Sequence, residues 1–217
     1  MRKIALIGSG PLCERLIYYF SSTGFGEAVG MFDDYEPIDK MIYGLPILGD
    51  IDSAPRLFQK RIFDEVAIAV GYRHLRFRQR VYEFLEGNRV PLTSFVHPSS
   101  HVEPSAVLGR GCIVLVRCVI DMKARLEDNV FMSSRGFLSH HVFVDAHTFI
   151  GPGVNLAGGT TVGQRCFLGI NTTTIDGIRI ASDAHTAAGS VVTRDVPSYS
   201  LVAGVPAVVK KHLADSR

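Results

Sequence analysis

His140 and His141 stand side by side in the stretch FLSHHVFVDAHTFIGPG, residues 137–153. The aliphatic residues around them keep a strict spacing that assigns neither histidine a structural task. Three kinds of chemistry suit such a pair. The imidazoles can be solvated groups at a turn. They can ligate zinc, which takes three protein side chains or more. Or one can be a general base, since a neutral imidazole with a pKa of about 6.5 is matched to removing a proton near neutral pH. A second set of residues lies near the start of the chain. Gly8, Ser9 and Gly10 follow a short apolar run, and Asp33 and Asp34 close another. Gly71 and Arg76 follow a third, in AVGYRHLR. By themselves these are turn and surface-loop positions at strand ends, where an arginine could also meet a diphosphate.

The elements that must position these residues fall into two groups. Over residues 1–91, strand and helix signals alternate. KIALIG reads as a buried strand, and PLCERLIYYFSSTG as a helix with Leu12, Leu16, Ile17 and Phe20 on one face and Pro11 in its first turn. EAVGMFDD and FDEVAIAVG are further strands, and HLRFRQRVYEFLEG is a helix closed by Gly87. Such alternation predicts an α/β domain, a small parallel sheet of Rossmann-like character. The turn Gly8-x-Gly10 opens like a dinucleotide fingerprint, but Cys13 stands where a third glycine would be. It also reads as a plain strand-to-helix turn.

From residue 92 the pattern changes. Every sixth residue from Val96 to Val192 is apolar except Thr174 and Thr186, and the residue four further on is mostly small, as in Ser100, Cys112, Cys118, Thr148 and Cys166. A helix drifts out of phase with a repeat of six, and a simple strand repeats every two. A sustained hexad predicts an all-β parallel β-helix, one short strand and one turn per hexad. Three of the four cysteines fall on the small position, so they read as compact core residues rather than redox or metal groups. With three hexads to a coil, residues eighteen apart are stacked neighbours. His140 and His141 then sit at a corner, and Gly158 and Gly159 lie one coil on. Glycines there open space for a groove or simply ease the corner. Met122 and Gly158, the neighbours of His140, supply no zinc ligand, and His147 and His185 have no partner at one-coil spacing. The reading is therefore no metal.

A net charge of +2 gives no reason to expect nucleic-acid binding, and no apolar run approaches the ~20 residues that span a bilayer. MRKIALIGSG runs from strand into glycine without a small-residue cleavage site, so it reads as a buried strand and not a signal peptide. The absence of CxxC pairs suggests reduced thiols and a cytoplasmic protein.

The hexads resemble the left-handed β-helix acyltransferases, and AAGSVVTRDVPSYSLVAGVPAVVKK resembles their C-terminal element, Gly-x-Pro-Ala included. With a nucleotide-binding domain in front, the chain resembles the branch that acetylates nucleotide-linked amino sugars, with sialic-acid O-acetyltransferases as relatives. The likeness implies an acetyl-CoA-dependent N-acetyltransferase acting on the 4-amino group of a nucleotide-linked deoxy-sugar, as a homotrimer, for a surface glycan such as lipopolysaccharide. Sugar O-acetylation and a non-catalytic nucleotide-sugar scaffold are the alternatives. It implies domains over 1–91 and 92–203, with a tail over 204–217.

The same resemblance implies roles. His140 matches the family's corner histidine, the general base. His141 stands where relatives often have a carboxylate that orients it, so it either assists or is a surface residue. Gly8, Ser9, Gly10, Asp33, Asp34, Gly71 and Arg76 would contact the nucleotide sugar. Phe149 takes the place of a histidine that close relatives hold near the thioester. Phe149, Gly158, Ile170, Ala188, Gly189 and Lys210 would line the acetyl-CoA site between subunits, with Lys210 or Lys211 near a phosphate or simply solvated.

Overall fold

The computed structural model describes residues 1–213 and divides the chain into two compact units, Met1–Ser94 and the remainder from Phe95. The division falls three residues beyond the expected 91/92 boundary, because Leu92 and Thr93 still pair with Val66 beside the first unit's sheet.

In the first unit, β1 (Lys3–Ile7), β2 (Glu27–Phe32), β4 (Leu45–Gly49) and β5 (Glu65–Ile68) form a parallel sheet in the order β4-β2-β1-β5, with β3 (Met41–Ile42) antiparallel on the edge. The interior strand β1 is apolar and fully buried from Ile4 to Ile7. Helix α1 (Pro11–Thr23) starts with proline, whose missing N–H costs nothing in a first turn, and ends on Gly24 at φ 65°. Helices α2 (Ala54–Gln59) and α3 (Leu75–Gly87) complete the unit. Arg78 of α3 is only 1% exposed, and its guanidinium donates to the carbonyls of Ile68 at 2.6 Å and Val70 at 3.3 Å. It therefore ties α3 to the loop that leaves β5.

The second unit is a left-handed parallel β-helix. Its two-residue strands pair eighteen apart, as in Val119 with Phe137 and Phe137 with Asn155, and build three sheets. The hexad residues Ile120, Leu138, Leu156, Val144 and Ile150 are fully buried in one continuous core. Thr174 and Thr186, the two exceptions, are buried too. Their hydroxyls meet those of Thr160 at 2.9 Å and Thr172 at 2.6 Å and accept from the N–H of Ala157 and Gly169.

The small positions do more than fit. The Sγ atoms of Cys112, Cys118 and Cys166 each donate to a carbonyl fifteen residues on, at Glu127, Ser133 and Ala181, as do the hydroxyls of Ser100 and Thr148. Burial pushes the Cys166 thiol up to about 12, so it stays protonated and able to donate. The stretch expected as a tail from residue 204 is paired. Ser200–Gly204 and Ala207–His212 form an antiparallel hairpin that extends one sheet of the helix. The rest of that stretch, 214–217, lies outside the described residues.

Candidate active site

Within the first unit, a cleft of about 400 Å³ opens at the carboxyl ends of the strands. In open parallel sheets ligands bind at this edge. Gly8, Ser9, Gly10, Asp33, Asp34 and Gly71, which the resemblance assigned to a nucleotide sugar, all line it. Gly8 takes φ +96°, a conformation that a side chain disfavours, and so turns the chain out of β1. Asp33 holds that turn: one carboxylate oxygen accepts from the backbone N–H of Ser9 at 3.0 Å and its hydroxyl at 2.7 Å, and the other from the N–H of Tyr35. Asp34 accepts from the N–H of Ile51 at 2.9 Å. The aspartates therefore shape the cleft wall as well as facing it.

Arg76 is not among the lining residues; His74, Phe77 and Arg80 are. Arg76 shares the helix face of Arg80 but lies one turn nearer the start of α3, in its first turn. Phe77 and Arg80 are three apart on α3, with the Arg80 guanidinium 5.8 Å from the ring centre of Phe77.

In the second unit, His140 and His141 occupy an exposed corner. His141 is left-handed at φ 59°, as are Lys123, Gly159 and Gly177 above and below it. Its N–H donates to the Met122 carbonyl at 3.0 Å, and the His140 carbonyl accepts from Gly159 at 3.0 Å, so the corner is pinned from both coils. The Nδ1 atoms of the two rings are 3.2 Å apart, and the ring planes cross at 82°. The His140 ring lies over Gly158. A Cβ on that glycine would come within 2.5 Å of Cε1 and 2.6 Å of Nε2. The missing side chain is thus what seats the imidazole.

The residues implied for acetyl-CoA fall in different settings. Ile170, Ala188, Gly189 and Lys210 are exposed, Ile170 at 51%, and Gly189 at φ 70° donates to the Ile170 carbonyl at 2.7 Å. Val205, Val208 and Val209 of the terminal hairpin are exposed nearby in sequence to Lys210. Phe149 is different. Phe131 stacks on it at 5.5 Å and Phe167 at 5.2 Å, and it is 4% exposed. With both faces covered it offers a ligand no open ring face, and here it packs the sheet. Among the described residues no group of three His, Cys, Asp or Glu side chains could hold a metal ion.

Repeat, corner histidine and terminal hairpin together make the chain similar to the hexapeptide-repeat acetyltransferases. The family model "Hexapeptide repeat of succinyl-transferase" matches residues 159–194. Over nearly the whole chain the fold is similar to GDP-perosamine N-acetyltransferase from Caulobacter crescentus, solved with CoA and GDP-perosamine, at TM-score 0.90 and 28% identity, covering 97% of this chain and 98% of that one. It is also similar to the acetyltransferase domain of PglB from Neisseria gonorrhoeae, at TM-score 0.86 and 26% identity, covering 97% and 100%. A curated relative, 2,3,4,5-tetrahydropyridine-2,6-dicarboxylate N-acetyltransferase from Enterococcus faecalis, is 46% identical over 48 residues, 22% of this chain. The match spans only 21% of that relative's length.

Proposed function

We propose that the protein transfers an acetyl group from acetyl-CoA to the 4-amino group of a nucleotide-linked amino-deoxy-sugar. The observation that carries the reading is the His140 imidazole, seated over Gly158 at an exposed corner of a β-helix whose full-length likenesses include a GDP-perosamine N-acetyltransferase. The cleft of the first unit suits the nucleotide, with the N–H groups of the Gly8–Gly10 turn for phosphate oxygens and Phe77 and Arg80 for the rest.

His140 acts as general base. The sugar amine attacks the thioester carbonyl carbon, and a C–N bond forms as one amine proton passes to Nε2 of His140. The C–S bond then breaks, and the leaving CoA sulfur takes that proton back. A positioned base contributes roughly 10²- to 10⁴-fold, and holding both substrates in place supplies much of the remainder. Acetyl-CoA is a substrate here. Exposed Ile170, Val205 and Val208 suit its apolar arm, and Lys210 its phosphates.

We read the protein as a trimer acting in the cytoplasm on a precursor of a surface glycan. Phe137 and Val107 on the outer sheet faces and Met122 at a corner are exposed apolar groups that a neighbouring subunit would cover. The four cysteines are all unbridged, as suits a reducing compartment. Light scattering should give three times the chain mass, and a fully active monomer would refute that reading.

A panel of nucleotide-linked amino sugars, GDP-perosamine among them, tests the activity by thiol release from acetyl-CoA. One amino sugar should turn over at a kcat on the order of 1–10³ s⁻¹. Thiol release only with sugars lacking an amine would mean O-acetylation, and nucleotide-sugar binding without release would mean a scaffold.

A further inference from the structure

The contact between the two histidines has a chemical consequence. Their Nδ1 atoms are 3.2 Å apart, a hydrogen-bond distance, and one of the two must carry the proton while the other accepts it. Two protonated Nδ1 atoms would point N–H at N–H, and two bare ones would oppose their lone pairs. With Nδ1 of His140 engaged, only its Nε2 is left to receive a proton from substrate. A neutral imidazole with a free Nε2 lone pair carries its hydrogen on Nδ1. In the productive state, therefore, His140 is the donor, Nδ1 of His141 the acceptor, and His141 keeps its own proton on Nε2.

We propose that His141 is a positioning residue that acts as an uncharged acceptor, holding His140 in the Nδ1–H tautomer that leaves Nε2 free to act as base. The proposal rests on the reading of His140 as general base. Two features of the fold fix the arrangement. The left-handed backbone of His141, its N–H tied to the Met122 carbonyl, sets where its ring leaves the chain. Gly158 sets where the His140 ring can lie, since a Cβ there would strike Cε1 and Nε2. An anionic partner would add attraction for the imidazolium formed during transfer. A neutral one supplies orientation and tautomer alone.

Two substitutions separate acceptor from bulk. Leucine at 141 keeps an apolar group of similar size and has no acceptor. Asparagine places an amide oxygen where Nδ1 stood, has no titrating group, and suits the left-handed backbone. The primary readout is the long-range ¹H–¹⁵N spectrum of ¹⁵N-histidine-labelled protein, with His140 assigned by its loss in His140→Asn. Wild type should place the His140 hydrogen on Nδ1. His141→Leu should shift His140 toward the Nε2–H form and lower kcat by at least about tenfold with little change in KM, as expected when a base is left in the wrong tautomer. His141→Asn should restore the Nδ1–H form and most of the lost turnover. A wild-type spectrum with the hydrogen on Nε2, or a His141→Leu protein with wild-type tautomer and kcat, overturns the proposal. The parent reading fails separately, through a His140→Asn enzyme that turns over within about threefold of wild type.

Discussion

Two corners of the β-helix, six residues apart, carry histidines in nearly the same backbone state. His141 has φ 59° and His147 φ 61°, and each donates its N–H at 3.0 Å to a carbonyl of the preceding coil, that of Met122 or Asp128. Their surroundings differ. His147 is 7% exposed, with its Nδ1 3.0 Å from the side-chain amide of Asn129, which is fully buried one coil below. The other corner is open, and the coil above it offers Gly158 in place of a side chain. The repeat therefore decides where a histidine can stand. The residues eighteen before and after it decide whether it packs or stays open.

The contrast is sharpest at Gly158. Gly158→Ala puts a methyl where the His140 ring lies and must displace the ring, while the backbone there needs no left-handed conformation. Activity should fall by about tenfold or more, in line with the sensitivity of catalysis to misplacing a group by an ångström, with Tm nearly unchanged. Steady-state kinetics and thermal melting check both halves. A variant with wild-type kcat would mean that the seat of the ring is unimportant.

At the packed corner the expected damage is to stability. His147→Ala strips the buried Asn129 amide of one partner and should cost about 1–3 kcal/mol with kcat within about twofold. Denaturant titration alongside kinetics measures this. A large loss of turnover without destabilisation would erase the distinction between the corners.

A smaller effect is expected at His185, whose ring packs against Phe167 at 5.4 Å. Burial lowers its pKa below the ordinary 6.5, opposed in part by Asp183. The native state therefore resists protonation, and the unfolded chain takes up its proton first as pH falls. The stability from neutral His185 is intact above 6.5 and is lost as pH drops through the lower native value. His185→Phe keeps the ring contact and should flatten the fall in Tm over roughly that window. Parallel curves for wild type and variant would refute the assignment.

How much of this was readable from the chain depends on the source of each signal. The β-helix was legible because its period is written in every hexad, and the placement of His140 over Gly158 followed from counting eighteen. The donor role of Cys112, Cys118 and Cys166 was half legible: their small size fits the inward position, but the carbonyls they reach belong to the next coil. The cleft of the first unit was less legible. The helix HLRFRQRVYEFLEG was read to within one residue of its start at Leu75, but which of Arg76, Arg78 and Arg80 turns to the cleft depends on how α3 packs on the sheet. The edge pair β3–β4 and helix α2 lie in a stretch of mixed polarity that gave no periodic signal. Phe149 was assigned by likeness alone, although the count of eighteen also stacks it between Phe131 and Phe167.

The most direct test of the account is acetyl transfer by His140→Asn in a single turnover, with the enzyme loaded with nucleotide-linked amino sugar and acetyl-CoA and both affinities measured by calorimetry. The account predicts unchanged affinities, unchanged melting, and a transfer rate lower by roughly 10²-fold or more, the loss expected for a missing base. A transfer rate within threefold of wild type would contradict it and leave the open corner without its chemistry.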